Sequence, residues 1–321
     1  MPAFPQTQKT LAAAAALAAA LFPATEAATR PDAGTPDATA EAVRAAERKT
    51  RDAELLEIVR AQRETLAEIR DAKLSDLERS RRLAAVASRY ENFLARFPDD
   101  ARALVLCAKF LRDGGEDDAA RERLEKAEKL RPDWAVVRQQ LGAIAAERGD
   151  FAEAARRLRE AVELEPGTAE YQTQLGEILR VFRAELLAAG VFADAGTLDA
   201  SMQNAFRAAR ALRPGALDEA VRYAESFYDV AEPDFAAALD AWTLAKNLAA
   251  AAPELGAADS DARKFVAETL ELHRARAFAE LGRFAEAEKI LRDGADPRLE
   301  RSRGRVREIL SEKTKNVSEK P

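Results

Sequence analysis

The chain holds one cysteine, Cys107, and one histidine, His273. A single thiol cannot close an intramolecular disulfide. One His with one Cys also excludes paired-ligand zinc motifs and argues against a catalytic triad. Cys107 stands among Leu104, Val105, Leu106 and Ala108 with nothing nearby to lower its pKa, so it reads as a buried, inert thiol. His273, in Leu272-His273-Arg274, reads as a helix-surface or groove residue. Trp134 and Trp242 read as wedges between helices. Tyr223, Phe227, Tyr228 and Phe235 form the densest aromatic stretch, whose spacing suits core packing better than an exposed patch. There is no Gly-rich phosphate loop, Ser nucleophile elbow or paired-histidine motif. The expectation is a protein without catalysis, metal or cofactor. Fifty Lys+Arg against 56 Asp+Glu give a net charge of −6, the wrong sign for a general polyanion binder, so nucleic acid is not an expected partner.

Elements that could position a binding surface follow from the order of the chain. Lys9 precedes an alanine-rich apolar run, Thr10 to Phe22, and Pro23 to Ala27 offer small residues at a cleavage site. Residues 1–27 therefore read as a secretory signal peptide, its apolar run too short to span a bilayer. The mature chain is expected to be exported, periplasmic or secreted, with no transmembrane segment. Residues 28–37 have linker chemistry, with two prolines and a glycine. Residues 38–75 read as one long amphipathic helix, with Val43, Ala46, Ala53, Leu56, Val59, Leu66 and Ile69 at three- and four-residue steps. Ser75 with Glu78 three residues on is a capping box that starts the next helix. Strand patterns are nearly absent, so the chain reads as all-α.

Pro98, Pro132 and Pro166 stand 34 residues apart. The same offset joins Gly115 to Gly149, Ala120 to Ala154, Leu124 to Leu158 and Ala127 to Ala161, and Leu141-Gly142 recurs as Leu175-Gly176. Gly149-Asp150-Phe151-Ala152-Glu153-Ala154 is echoed by Gly282-Arg283-Phe284-Ala285-Glu286-Ala287. A recurring unit of this length cannot bury its apolar face alone and must stack on its neighbours.

These residues resemble the tetratricopeptide repeat (TPR) family, in an exported bacterial form. Leu141, Gly142, Gly149, Ala154, Leu158, Ala161 and Pro166 fall on family positions in residues 135–168. Leu175, Gly176, Gly282, Phe284 and Ala287 extend the signature. The resemblance implies a right-handed α-solenoid over residues 76–294, with an enlarged unit at 169–214 because Pro214 follows Pro166 by 48 residues. Thr197 is the expected cap within that enlargement, and residues 295–321 are the expected capping helix and tail. It further implies a protein or peptide partner on a concave groove lined by Lys109, Arg112, Gln139, Gln140, Ala143, Thr173, Glu177 and Arg180. The family's carboxylate clamp is missing, since its places hold Val105, Lys109, Gln140, Glu170 and Gln174. The functional expectation is an interaction scaffold in the cell envelope. The alternative is a self-assembling envelope protein that uses the N-terminal helix as a coiled coil, with oligomerisation.

Overall fold

The computed structural model describes residues 36–71, 74–257 and 259–318, and all regular structure among them is helical. The expected signal peptide and nearly all of the expected linker lie outside the described residues. The chain forms two compact units, divided between Pro132 and Asp133.

The first unit contains α1 (Pro36–Asp71), α2 (Asp76–Arg96), α3 (Ala101–Asp113) and α4 (Asp117–Leu130). Helix α1 starts two residues inside the expected linker, with Pro36 at a position where a missing N–H costs nothing. Its apolar stripe differs from the one the spacing suggested. Leu55, Ile58 and Val59 are buried with Gln62, whereas Val43 and Leu56 are 57% and 43% exposed. The stripe includes a polar residue because the Tyr90 hydroxyl donates to Gln62 Oε1 at 2.7 Å across the α1–α2 contact. Ion pairs Glu54–Arg96, Glu68–Arg82 and Asp52–Arg102 flank that seam. Residues 41–50 are exposed throughout. The capping box forms: Glu78 N–H donates to Ser75 Oγ at 3.3 Å and Ser75 N–H to Glu78 Oε2 at 2.9 Å. Cys107 is 1% exposed, and burial pushes its thiol up to about 11, which leaves it protonated and inert at neutral pH.

The second unit is a serial stack of hairpins. It runs through α5 (Ala135–Glu147), α6 (Phe151–Leu164), α7 (Ala169–Val181), the short α8 (Arg183–Ala188), α9 (Ala195–Leu212) and α10 (Leu217–Ser226). It continues through α11 (Phe235–Ala251), α12 (Asp261–Glu280), α13 (Phe284–Asp293) and α14 (Glu300–Ser318). The recurring hexapeptide has one conformation in both places. Gly149 and Gly282 take φ of 80° and 74°, a left-handed turn that a side chain would strain. The following N–H then closes back on the preceding helix, Asp150 to Ala145 O at 2.9 Å and Arg283 to Phe278 O at 2.8 Å.

Between α5 and α6 the contact is made by small groups. A Cβ on Gly142 would lie 3.2 Å from Arg157 Cβ and 3.3 Å from both Ala154 O and Leu158 Cγ. Leu141, Ala154, Leu158 and Ala161 are buried there, while Pro166 is exposed just beyond α6, where its missing N–H ends the helix. Leu175 and Ala287 are buried and Phe284 half-buried in their own hairpins. In the enlarged unit Asp194, and not Thr197, caps α9. Its carboxylate accepts from Thr197 N–H at 2.7 Å, the charged side chain three residues ahead reaching the orphan amide. Asp199 is buried and accepts a bidentate pair from Arg183 (2.7 and 3.0 Å) and the Ala231 N–H (3.0 Å), which ties the extra residues to the loop after α10.

Candidate partner-binding face

Of the first helices of successive hairpins in the second unit, α5, α7, α10 and α12, the first three carry polar side chains that meet one another. Gln140 Nε2 donates to Gln139 Oε1 at 2.7 Å, Gln139 Nε2 to Gln174 Oε1 at 2.9 Å, and Gln174 Nε2 to Glu170 Oε1 at 3.3 Å, which joins α5 to α7. Thr173 Oγ1 donates to Glu219 at 2.9 Å, Glu177 pairs with Arg222 at 3.2 Å, and Arg180 pairs with Glu225 at 3.3 Å and Asp229 at 3.5 Å, which joins α7 to α10 and the loop after it. The result is a ribbon of satisfied polar groups along three helices. Its members are mostly half-buried, so they are held in place yet reachable from solvent.

Burial holds the Glu225 carboxyl above its ordinary value, with Glu177 and Asp229 adding to the effect and Arg180 and Arg222 opposing it. Glu219 is 1% exposed and is satisfied by Thr173, by Arg213 at 3.2 Å and by Arg222 at 3.6 Å. Further along, Arg276 lies 4.0 Å from the Tyr228 ring centroid, the ring of Trp242 stacks on Tyr228 at 6.0 Å, and the Tyr228 hydroxyl donates to His273 O at 2.9 Å. Burial pushes that phenol up to about 12.

The groove residues expected from the sequence fall in three groups. Thr173, Glu177 and Arg180 are on the ribbon and engage α10. Gln140 and Ala143 are half-buried on α5, whereas Gln139 is 8% exposed and serves as a link inside the ribbon, its amide spent on Gln140 and Gln174. Lys109 and Arg112 are half-buried on α3 of the first unit. Of the two readings of His273, surface or groove, the structure leaves it half-buried on the first-helix face: its ring stacks on Trp242 at 4.1 Å and 8°, and burial, assisted by Arg276, pushes it down to about 4. Trp242 is fully buried, and Tyr223 meets Phe227 edge-on at 5.1 Å.

Sequence reasoning missed Arg222, Glu225, Asp229 and Arg276. A signal for the last was present. The offset between Gly149 and Gly282 carries Gln140 onto His273, Ala143 onto Arg276 and Glu147 onto Glu280. Among the described residues no group of three or more His, Cys, Asp or Glu could hold a metal ion, and no helix is long and apolar enough to cross a membrane.

No protein-family model matches the chain, and neither does any curated protein. Solved structures do resemble it. A MamA crystal structure is 16% identical, covering 57% of this chain and 91% of MamA, with a TM-score of 0.44. YrrB, described as a TPR protein with an unusual peptide-binding site, is 18% identical over 54% of this chain and 80% of its own, with a TM-score of 0.40. PilF of Pseudomonas aeruginosa is 17% identical over 78% and 93%, with a TM-score of 0.45. The stacked hairpins themselves, with Gly142 and Ala154 at the close approach, are what make this chain TPR-like in build.

Proposed function

We propose that the chain is a non-enzymatic scaffold of the bacterial cell envelope that binds a peptide or an extended segment of a partner protein along the first-helix face of its second unit. The observation that carries the reading is the ribbon: half-buried amides and charges, fixed by one another, running continuously over α5, α7 and α10. A surface of this kind offers hydrogen bonds to a peptide backbone at low ordering cost, because its rotamers are already set. Export rests on the leader-like composition of residues 1–27.

A displayed random dodecapeptide library selected on residues 28–321 tests the binding. Selected peptides are expected to bind in the micromolar range. Ala143→Arg, which places a bulky side chain on the half-buried face of α5, is expected to weaken them at least tenfold with an unchanged melting temperature. Equal binding to that variant contradicts the location. The envelope assignment predicts that the chain recovered from a periplasmic fraction has lost residues 1–27 by mass.

Self-assembly through α1 is favoured by one observation, the exposure of residues 41–50. The best apolar seam of that helix is already covered, since Leu55, Ile58 and Val59 are buried. A concentration-independent monomer in light scattering would end that reading.

A further inference from the structure

We propose that Arg276 anchors an aspartate or glutamate side chain of the bound peptide, an inference that rests on the partner-binding reading above. Three arginines lie along the first-helix face, and two of them are occupied. Arg180 pairs with Glu177 at 2.8 Å, Glu225 at 3.3 Å and Asp229 at 3.5 Å. Arg222 pairs with Asp218 at 2.9 Å, Glu177 at 3.2 Å and Glu219 at 3.6 Å. Arg276 differs. Among the described residues its guanidinium meets the Tyr228 ring and no carboxylate, and its buried Nε has no hydrogen-bond partner. Glu280, one helical turn on, is the acid that would ordinarily pair with it, but Glu280 is held by Lys313 of α14 at 2.6 Å. Arg276 is thus a permanently charged donor group without a carboxylate partner among the described residues.

The group is also well positioned. Tyr228 is fixed by its bond to His273 O and by its stacking with Trp242, so the cation resting on its ring has little freedom to lose on binding. His273 is kept neutral by its burial, so the site presents a single cation, matched to a single carboxylate. A side chain within an extended peptide is the source that fits, because the glutamine-rich start of the ribbon would engage the backbone on the same strand.

The test uses the library described above, with each peptide fused at its C-terminus to the coat protein so that no free terminal carboxylate is present. Peptides selected on the wild-type chain should be enriched in Asp or Glu at one position, and selection on Arg276→Gln should lose that enrichment. For a synthetic selected peptide with an amidated C-terminus, Arg276→Gln and replacement of the peptide acid by its amide should each weaken binding ten- to a hundredfold. Both together should do no worse than either alone, and Arg276→Lys should restore part of the loss. A melting temperature equal to wild type confirms that Arg276→Gln is folded; if it is not, the peptide acid-to-amide exchange on the wild-type chain probes the same contact from the other side. Selected peptides without acidic enrichment, or additive losses in the cycle, overturn the anchor alone. A wild-type chain that selects no peptide overturns both the anchor and the binding function.

Discussion

The hairpin α5–α6 and the enlarged hairpin α7–α9 carry the same dipeptide midway along their first helices, Leu141-Gly142 and Leu175-Gly176, and use it differently. In the first, glycine admits the backbone and short side chains of the second helix, with Ala154 O and Leu158 Cγ at 3.3 Å from where a Cβ would be. In the second, it admits an aromatic ring, since a Cβ on Gly176 would lie 2.7 to 2.9 Å from the buried Phe206 ring. The extra residues between Pro166 and Pro214 move the second helix, and a large side chain fills the space that small ones fill in the regular unit. Side-chain ties then replace the lost regularity. The ion pairs of Glu153 in α6 are local and partly exposed, to Arg156 at 2.6 Å and Arg157 at 2.7 Å, whereas Asp199 of α9 is buried and holds two separate segments.

That difference predicts a descending series of effects. Asp199→Asn should be the most damaging, about 3 kcal/mol in urea unfolding, because it breaks a largely buried pair and weakens the hold on the Ala231 amide. Gly176→Ala should cost about 2 kcal/mol through overpacking and should be partly rescued by Phe206→Leu, whereas Gly142→Ala should cost clearly less, its gain in helix propensity offsetting tighter contacts. A third effect depends on pH. His273 has its proton affinity lowered in the folded state, so its contribution is fully present above its ordinary value near 6.5 and is lost as pH falls towards about 4. The unfolding free energy should therefore decline across that window by roughly 2 kcal/mol, less than the full shift would give because the ring is only half-buried, and His273→Phe, which keeps the stack on Trp242 without a proton site, should flatten the decline. Glu153→Gln, in the regular hairpin, should change stability by about 0.5 kcal/mol or less. A cost for Glu153→Gln as large as that for Asp199→Asn would remove the distinction between the two hairpins.

The parts of the fold that repeat are legible in the sequence because a repeated contact leaves a repeated residue. Gly149 and Gly282 mark two left-handed turns with the same backbone closure, and Ser75 with Glu78 marks a helix start. Apart from such local signals as the Ser75–Glu78 box, the parts that do not repeat are illegible. The Asp194 cap is hidden because Thr197 is an equally good local candidate, and only the backbone path decides between them. The α1 stripe departs from the spacing by one residue at Leu56 because Gln62 is buried by a partner 28 residues away, Tyr90. The face itself is half legible. Thr173, Glu177 and Arg180 follow from the period, but their partners Glu219, Arg222, Glu225 and Asp229 come after the enlargement, where counting by 34 fails. The Trp242–His273 stack joins α11 to α12, and no spacing within one helix reveals it.

Amide hydrogen exchange on residues 28–321, with and without a saturating selected peptide, tests the central claim most directly. The account predicts that protection on binding concentrates in α5, α7, α10 and α12, and that α6, α9 and α13 change little. Protection confined to those second helices, or to α1, would contradict it.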